Sequence, residues 1–334
     1  MRRFPSASGR TALALALLAI LPGAYSSLRA ETGKERGSLV PPLSLAITRD
    51  GIAAESPWTV SIPASGLPGD LIPVTISSTA PLTDGSATLR DGEGRVCARA
   101  TAFGSNPRGN DRLVALVALP PTLSPGTYTI EAFALAGTRA ISSTGPVSIG
   151  KRQFAQERID LDETASAIKA DLGPERLAQI EALNRILSAF NSGAPRFAGP
   201  FKAPVASKRI TATYGDRRTY RYSNGKKETG IHFGLDYGIP IGTPVFAAGD
   251  GLVVMAERRI STGWTVVVEH LPGVYSLYYH LDALTCSAGE SVRAGTLVGR
   301  SGMTGLATGP HLHLEWRVNG VAVSPAFFEG KRLF

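Results

Sequence analysis

Short runs of strand-forming residues, separated by turns rich in Gly and Pro, fill most of this 334-residue chain. The 37 Gly and 23 Pro residues fall largely between these runs, and the runs are too short for helices of a bundle. A chain of this length exceeds one compact core of ordinary size, so we expect about two domains. The sequence therefore predicts a mainly β protein with more than one domain.

Residues 51–150 contain six such runs, from WTVSIP at 58–63 to TYTIEAFAL at 127–135. Turn clusters such as Gly66-Leu67-Pro68-Gly69 separate them at a spacing of about ten residues, which is typical of a β-sandwich. The phrase PGTYTIEAFA resembles the closing strand of immunoglobulin-like modules. Without a Cys-Trp-Cys signature the resemblance concerns architecture only, and it predicts an immunoglobulin-like β-sandwich without a function of its own.

Residues 151–198 have a helical pattern and are predicted to be a helical linker. Apolar residues recur at steps of three and four from Leu177 to Phe190. Gly173-Pro174 suits a helix start, and Asn191-Ser192-Gly193 suits a helix end. We expect this apolar stripe to pack on a neighbouring domain, and the alternative is a helix that binds a partner.

The first thirty residues are predicted to be a signal peptide. Basic residues precede the apolar run TALALALLAILP at 11–22, which is too short to span a membrane. The alternative is an uncleaved N-terminal anchor. Residues 31–50 are predicted to be a tether, and the protein is expected to be exported to the periplasm or cell envelope.

The net charge of +8 does not indicate a nucleic-acid partner. Four basic residues lie before residue 30 without an acid, which leaves 31 basic and 27 acidic residues, or +4, in the rest. This excess forms no basic stripe with interleaved aromatics. It favours a weak attraction to an anionic cell wall, and it leaves open a transient contact with a membrane or a wall protein.

Residues 199–334 return to short strands and are predicted to be a second, antiparallel β domain. All five histidines of the chain lie here. His232 and Asp236 form an H-x-x-x-D pair, whose four-residue step places both side chains on one side of a strand or of a helix. Imidazole nitrogen and carboxylate oxygen both bind zinc well, although this pair alone is common by chance.

His311 and His313 begin a strictly alternating segment, HLHLEWRV. The alternation predicts a strand with His311, His313, Glu315 and Arg317 on one face. Two imidazoles then project to the same side. Taken alone, an H-x-H pair is more simply explained as solvent-facing residues of an edge strand.

His280 lies in the segment Y-Y-H-L, at the end of an apolar run, and is a candidate catalytic imidazole. His270 precedes a Pro-Gly turn and has no partner at a metal-ligand spacing. We expect His270 to be a hydrogen-bonded turn residue outside the site.

The ordered set H-x-x-x-D, Y-x-H-L and G-x-H-L-H-L-E resembles the M23 family of lysostaphin-like (LytM) peptidases, over about residues 205–330. This resemblance implies a lysostaphin-like fold and one zinc ion bound by His232, Asp236 and His313. It also implies that His280 and His311 form the catalytic pair, with their separate roles open. Three protein ligands would leave a fourth position for water, as in catalytic zinc sites.

The chain has no H-E-x-x-H motif, so the imidazoles near the metal are expected to take the role of the glutamate base. Glu315 has two readings, as an outer partner that orients a ligand imidazole or as a residue of a surface ion pair.

The predicted function is a zinc-dependent endopeptidase that cuts peptide cross-links or stem peptides of peptidoglycan. A catalytically silent regulator that only binds the wall is the alternative from another class, and a secreted lysin against a competitor's wall is a third reading. The N-terminal domain is expected to hold the peptidase away from the membrane, rather than to cover its groove.

Overall fold

The computed structural model describes residues 57–106 and 109–334, and most of them lie in β-strands. The predicted signal peptide at 1–30, the predicted tether at 31–50 and residues 51–56 of the predicted sandwich lie outside the described residues. The first nine strands are β1 (Trp58–Ser61), β2 (Ser65–Gly66), β3 (Leu71–Ser78), β4 (Leu82–Arg90), β5 (Val96–Thr101), β6 (Phe103–Asn106), β7 (Gly109–Ala118), β8 (Gly126–Ala136) and β9 (Arg139–Ile149).

These nine strands form two sheets, with the orders β1-β3-β7-β6 and β2-β9-β8-β4-β5. Alternate residues of β3 and β8, such as Val74 and Ile130, are buried in one common apolar core. The alternation arises because successive side chains of a strand point to opposite faces. The region is thus a two-sheet β structure, and its classification as an immunoglobulin-like module stays a prediction.

The segment that follows contains a strand and two helices: β10 (Gln156–Asp160), α1 (Glu163–Ala170) and α2 (Pro174–Ser188). The predicted start of α2 is confirmed, since Pro174 is its first residue after Gly173. Strand β10 is not part of the prediction for 151–198. Its sequence QERID has only one apolar residue, so no strand pattern is visible, and only its pairing with a distant strand defines it.

The apolar stripe of α2 packs on the second domain through its C-terminal half. Leu187 is buried, and Leu183 and Ile186 pack with it on Met255 and Tyr275. At the two ends of the stripe the side chains are exposed, Leu177 by 50% and Phe190 by 39%. The expected packing is therefore confirmed for half of the stripe.

The remaining strands are β11 (Ile210–Ala212), β12 (Arg217–Arg221), β13 (Lys227–Ile231), β14 (Gly234–Tyr237), β15 (Pro244–Phe246), β16 (Gly251–Arg259), β17 (Gly263–Leu271), β18 (Val274–Leu284), β19 (Ser291–Val292), β20 (Leu297–Ser301), β21 (Leu312–Val318) and β22 (Val321–Val323). A 3-10 turn at Pro325–Phe327 follows them.

Ten of these strands form one sheet, whose main path is β11-β14-β21-β18-β17-β16-β19. Every pairing within it is antiparallel, as predicted. Strands β10, β12 and β13 form a separate small sheet, in which β10 and β12 are parallel. Strand β10 of the linker is therefore joined to the second domain by backbone hydrogen bonds to β12.

The first sheet of the sandwich packs directly on the second domain. Leu71, Val114 and Leu116 share an apolar core with Leu314 and Trp316. Asn319 Nδ2 also donates to the carbonyl of Leu116 at 3.0 Å. Apolar burial is the main favourable term in such contacts. The sandwich and the second domain therefore form one continuously packed unit and not two domains joined only by a linker.

Cys97 and Cys286 are both free, and Cys286 is buried. Within the described ranges, neither helix is both long and apolar enough to cross a membrane.

His270 lies inside the second domain, not in a turn. It is on β17, where its Nδ1 donates to the carbonyl of Asp250 at 2.7 Å and its Nε2 lies 2.8 Å from Ser276 Oγ. Its ring is fully buried beside Phe201 and Trp316. The expected turn position is wrong because the Pro-Gly turn begins only after Leu271, and the strand includes His270.

Burial lowers the pKa of His270 from 6.5 to about 4, although hydrogen bonding to Asp250 opposes the shift. Above pH 6.5 the ring is mostly neutral in both the folded and the unfolded chain, and between pH 6.5 and about pH 4 it takes a proton mainly in the unfolded chain. We therefore expect the free energy of unfolding to fall by about 2 kcal/mol between pH 7 and pH 5 through this group alone. Urea denaturation at the two pH values should show a smaller loss in His270→Gln than in the wild type. An equal loss in both proteins would contradict the assignment of this pH dependence to His270.

Candidate metal and catalytic site

His232 and Asp236 do not lie on the same strand. His232 follows the end of β13, and Asp236 is on β14. The backbone of His232 is held by two hydrogen bonds, from its N–H to the carbonyl of Asp216 and from the N–H of Gly215 to its carbonyl. The two side chains therefore meet without sharing one regular strand or helix.

His313 enters from the neighbouring strand. Strands β14 and β21 are antiparallel, and their register places Asp236 directly opposite His313. A Cβ on Gly234 would lie 2.5 Å from His313 Nε2, so only glycine at this position leaves room for the ring. The predicted alternation is confirmed from Leu312 onward, since Leu312, Leu314 and Trp316 are buried on the opposite face from His313. His311 was predicted on the same strand but precedes it, in an isolated bridge with Gly302.

Three donor atoms form a small triangle. Asp236 Oδ1 lies 2.8 Å from His313 Nδ1 and 3.1 Å from His232 Nε2, and these two nitrogens are 3.0 Å apart. In a tetrahedral zinc site with bonds of about 2.0 Å, ligand atoms stand about 3.3 Å from one another. The three donor–donor distances of the triangle are close to this value, and the donor set of two imidazoles and one carboxylate suits zinc.

The hydrogen-bond partner of His232 gives a second reason to expect a cation. His232 Nδ1 lies 2.8 Å from the carbonyl oxygen of Thr213, which can only accept, so Nδ1 carries the proton. In the neutral ring, Nε2 then has a lone pair, and this lone pair faces the carboxylate of Asp236. Such an arrangement repels unless a positive charge lies between the two groups.

The ionisation of these groups follows from the same contacts. Burial alone would raise the pKa of Asp236, but its close contacts with the imidazoles of His232 and His313 hold the pKa of this carboxyl well below its usual range. Burial is the main reason that the pKa of His232 is lowered. For His313, burial is outweighed by Asp236 and Glu315, which raise the pKa of the imidazole to about 9.

Glu315 and Tyr279 lie next to the ring of His313. Glu315 is buried, its Oε2 lies 3.8 Å from His313 Nε2, and its Oε1 accepts a hydrogen bond from Arg317 Nε. The ring of Tyr279 stacks on the ring of His313, with centroids 5.3 Å apart and planes 10° apart. Glu315 does form an ion pair, with Arg317, but this pair is buried and not at the surface. The role of Glu315 as a partner that orients a ligand imidazole stays a prediction.

His280 and His311 form a second pair of imidazoles beside the triangle. Their ring centroids are 4.8 Å apart, and His311 Nε2 lies 3.9 Å from Asp236 Oδ1. His280 Nδ1 donates to the carbonyl of Thr304 at 2.7 Å, and His311 Nδ1 donates to that of Gly309 at 2.8 Å. Because both Nδ1 atoms carry the proton, each neutral ring keeps an unprotonated Nε2.

The backbone of His280 is exceptional. Strand β18 continues past this residue to Leu284, and the φ angle of His280 is 60°, a left-handed conformation that is uncommon for residues other than glycine. Such positions are concentrated at functional sites. Burial, followed by the nearby charges of His311 and His313, lowers the pKa of His280 to about 3, so the ring is neutral near pH 7.

A cleft of about 380 Å³ opens onto the triangle and the second pair. Its floor includes Asp236, His280 and His313. The loop at 306–311 forms one wall, and β10 and β12 form another through Glu157, Ile159, Arg218 and Tyr220. Four of the five residues predicted for the site line this cleft. His232 is buried and contacts Asp236 and His313, and His270 is outside the cleft.

Arg218 and Glu157 at this cleft are residues that sequence reasoning missed. Arg218 Nη2 donates to Asp236 Oδ2 at 3.2 Å, and Arg218 Nε donates to Glu157 Oε2 at 2.9 Å. The sequence has no sign of this contact, since charged residues are common and the three positions are far apart.

The model of peptidase family M23 matches residues 230–325. This segment is an M23 peptidase domain. It includes all five predicted site residues, from His232 to His313, and it is less than a third of the chain. Arg218 and Glu157 precede its first residue.

Curated relatives of the M23 domain are similar over little more than this segment. The DD-carboxypeptidase/endopeptidase Mpg of Neisseria meningitidis serogroup B is 40% identical over 122 residues, which are 36% of this chain and 27% of the relative. The peptidoglycan DD-endopeptidase ShyA of Vibrio cholerae serotype O1 is also 40% identical over 122 residues, 36% of this chain and 28% of the relative. The chain thus spans about a quarter of the length of these relatives.

A solved M23 peptidase structure from Pseudomonas aeruginosa is similar over a much larger part. It has a TM-score of 0.54 at 22% identity, and the alignment covers 79% of this chain and 94% of that one. At this identity the similarity concerns the fold, and it extends the shared architecture beyond the M23 domain.

Gly263 and Thr304 fix the loop that holds His280. A Cβ on Gly263, whose φ is +65°, would lie 2.0 Å from Thr304 Oγ1 and 2.5 Å from the Thr304 carbonyl. Gly289 also has a positive φ, +92°, but a Cβ there would meet nothing within 4 Å.

Ala at Gly289 should therefore cost about 1 kcal/mol of unfolding free energy from backbone strain alone. Ala at Gly263 should cost about 2 to 4 kcal/mol, because overpacking against Thr304 is added to the strain. Urea denaturation of the two variants measures the difference. Equal losses in Gly263→Ala and Gly289→Ala would show that the Thr304 loop yields freely and does not fix His280.

Proposed function

We propose that the protein is a zinc-dependent endopeptidase that hydrolyses peptide bonds of bacterial peptidoglycan. The observation that carries the proposal is the triangle of His232 Nε2, Asp236 Oδ1 and His313 Nδ1 beside two imidazoles with unprotonated Nε2 atoms. In this proposal His232, Asp236 and His313 hold one zinc ion, and His280 and His311 are the catalytic pair.

Three protein ligands suit a catalytic metal better than a structural one, because structural zinc normally has four. When bound, zinc would supply an activated water near neutral pH and would polarise the scissile carbonyl. Strand pairing and the contacts of Glu315 and Tyr279 support the fixed orientation of the donor atoms.

The second pair of imidazoles handles the protons. Because the carbonyls of Thr304 and Gly309 engage both Nδ1–H groups, neither ring presents an N–H to the cleft until it takes a proton. The pair therefore acts first as a proton acceptor from the attacking water and then as a proton donor. When the C–N bond breaks, that proton goes to the leaving amine.

The names of the relatives support the substrate. One is a DD-carboxypeptidase/endopeptidase and another a peptidoglycan DD-endopeptidase, and both are similar to this chain in the domain that contains the site. We extend the peptidoglycan DD-endopeptidase activity to this protein, and we propose peptide cross-links as the bonds that it cuts. The proposal includes action in the periplasm or cell envelope, for which the pattern of the first thirty residues is the support.

Substitutions should separate metal binding from proton transfer. We expect one zinc per wild-type chain, and near-complete loss of both zinc and peptidoglycan hydrolysis in His313→Ala and Asp236→Asn. His280→Ala and His311→Ala should keep the zinc but lose at least about a hundredfold in hydrolysis rate, because general acid–base catalysis contributes at least this much. Elemental analysis and mass spectrometry of digested muropeptides give the two readouts.

Asp282→Asn is the matched control for Asp236→Asn, because Asp282 is exposed and does not belong to the donor triangle. It should retain both zinc and activity. A metal-free wild type that binds peptidoglycan without cleaving it would contradict the enzyme proposal and favour the silent regulator.

A further inference from the structure

An arginine joins the proposed metal site to the linker strand. Arg218 on β12 donates to Asp236 Oδ2 through Nη2 and to Glu157 Oε2 through Nε, at 3.2 and 2.9 Å. Only 13% of its side chain is exposed. Glu157 is on β10, between the sandwich and the helices, so a segment outside the M23 domain reaches a proposed metal ligand through one side chain.

The two oxygens of Asp236 have different neighbours. Oδ1 faces His232 and His313, whereas Oδ2 faces Arg218. The oxygens of a free carboxylate are chemically equivalent, and rotation about the last side-chain bond exchanges them or turns both away. A guanidinium that holds Oδ2 therefore selects the orientation in which Oδ1 completes the donor triangle.

Backbone pairing fixes Glu157 at the place where it can hold Arg218. Strands β10 and β12 are parallel, and their register pairs Glu157 with Arg218. The side chains of Glu157 and Ile159 line the cleft, whereas those of Gln156, Arg158 and Asp160 are exposed. The contact thus depends on the strand itself and not on a loose surface encounter.

Arginine has the geometry for this double contact. Its Nε and Nη2 are separate donors on a rigid, planar group, so one side chain can bond two carboxylates in fixed directions. Lysine has the same charge but presents it at one point, and it cannot hold both carboxylates in this way.

We infer that Arg218 is a positioning residue of the metal site and that Glu157 holds it in place. Strand β10 then contributes to the metal site through Glu157, in addition to connecting the sandwich to the helices. The inference deepens the proposed function and rests on its zinc site.

The test compares zinc affinities of the full-length chain, measured by competition with a chelator at one pH. Arg218→Gln removes both the positive charge and the planar guanidinium with its two donors, Nε and Nη2. Arg218→Lys keeps the charge and removes only the guanidinium. Glu157→Ala removes the acceptor for Nε, and Glu157→Gln keeps an oxygen acceptor. Arg221→Gln and Asp160→Ala are matched controls, because both residues are exposed on the same two strands.

Both Arg218 variants should bind zinc about tenfold more weakly, in the range known for outer partners of metal ligands. Glu157→Ala should lose up to about tenfold in zinc affinity, and Glu157→Gln should restore most of that loss. The controls should bind zinc as the wild type does. Melting temperatures of the metal-free variants should stay near that of the wild type, and Glu157→Ala and Glu157→Gln carry the test if an Arg218 variant does not fold.

A purely electrostatic role predicts different results. Removal of a positive charge near the metal would strengthen zinc binding in Arg218→Gln, and Arg218→Lys would bind as the wild type does. Either result overturns the inference, as does equal affinity in Glu157→Ala and the wild type. A wild type that binds zinc but does not cleave peptidoglycan contradicts the proposed function alone. A wild type that binds no zinc contradicts both.

Discussion

The antiparallel pairing of β14 with β21 is the constraint on which the site depends. It places Asp236 opposite His313, and no short-range pattern in the sequence brings these two residues together. The same strand β21 also pairs with β18, where Tyr279 lies opposite His313. A register shift of one residue would turn His313 to the face that now buries Leu312, Leu314 and Trp316, and it would turn those three residues out of the apolar core, because side chains alternate along a strand. The apolar burial of those three residues therefore fixes the position of the imidazole.

Carbonyl groups set the proton positions around the cleft. Thr213, Thr304 and Gly309 each accept a hydrogen bond from the Nδ1 of a different histidine. As a result, three rings direct an unprotonated Nε2 away from the backbone, and His313 uses Nδ1 toward the triangle instead. The loops that supply these carbonyls are as important to the proposed chemistry as the histidines, which explains why glycines such as Gly263 are found where the backbone approaches closely.

The sequence was sufficient to predict much of this arrangement. Crowding of all five histidines after residue 231, the alternation of HLHLEWRV from Leu312 onward and the Gly173-Pro174 helix start each depend on local spacing, and the structure places these features as expected. The position of His232 outside the strand of Asp236, the burial of His270 inside β17 and the left-handed backbone of His280 were not predictable, because each depends on tertiary contacts. Strand β10 is the clearest example, since a five-residue segment with one apolar side chain becomes a strand only through its pairing with β12. Arg218 and Glu157 were missed for the same reason.

The most direct test of the account is the position of the metal. Diffraction data collected at the zinc absorption edge from crystals of the zinc-loaded protein should show one anomalous peak. We expect this peak within bonding distance of His232 Nε2, Asp236 Oδ1 and His313 Nδ1, with Arg218 still bonded to Asp236 Oδ2. A peak coordinated by His280 and His311, or no peak at the triangle, would contradict it.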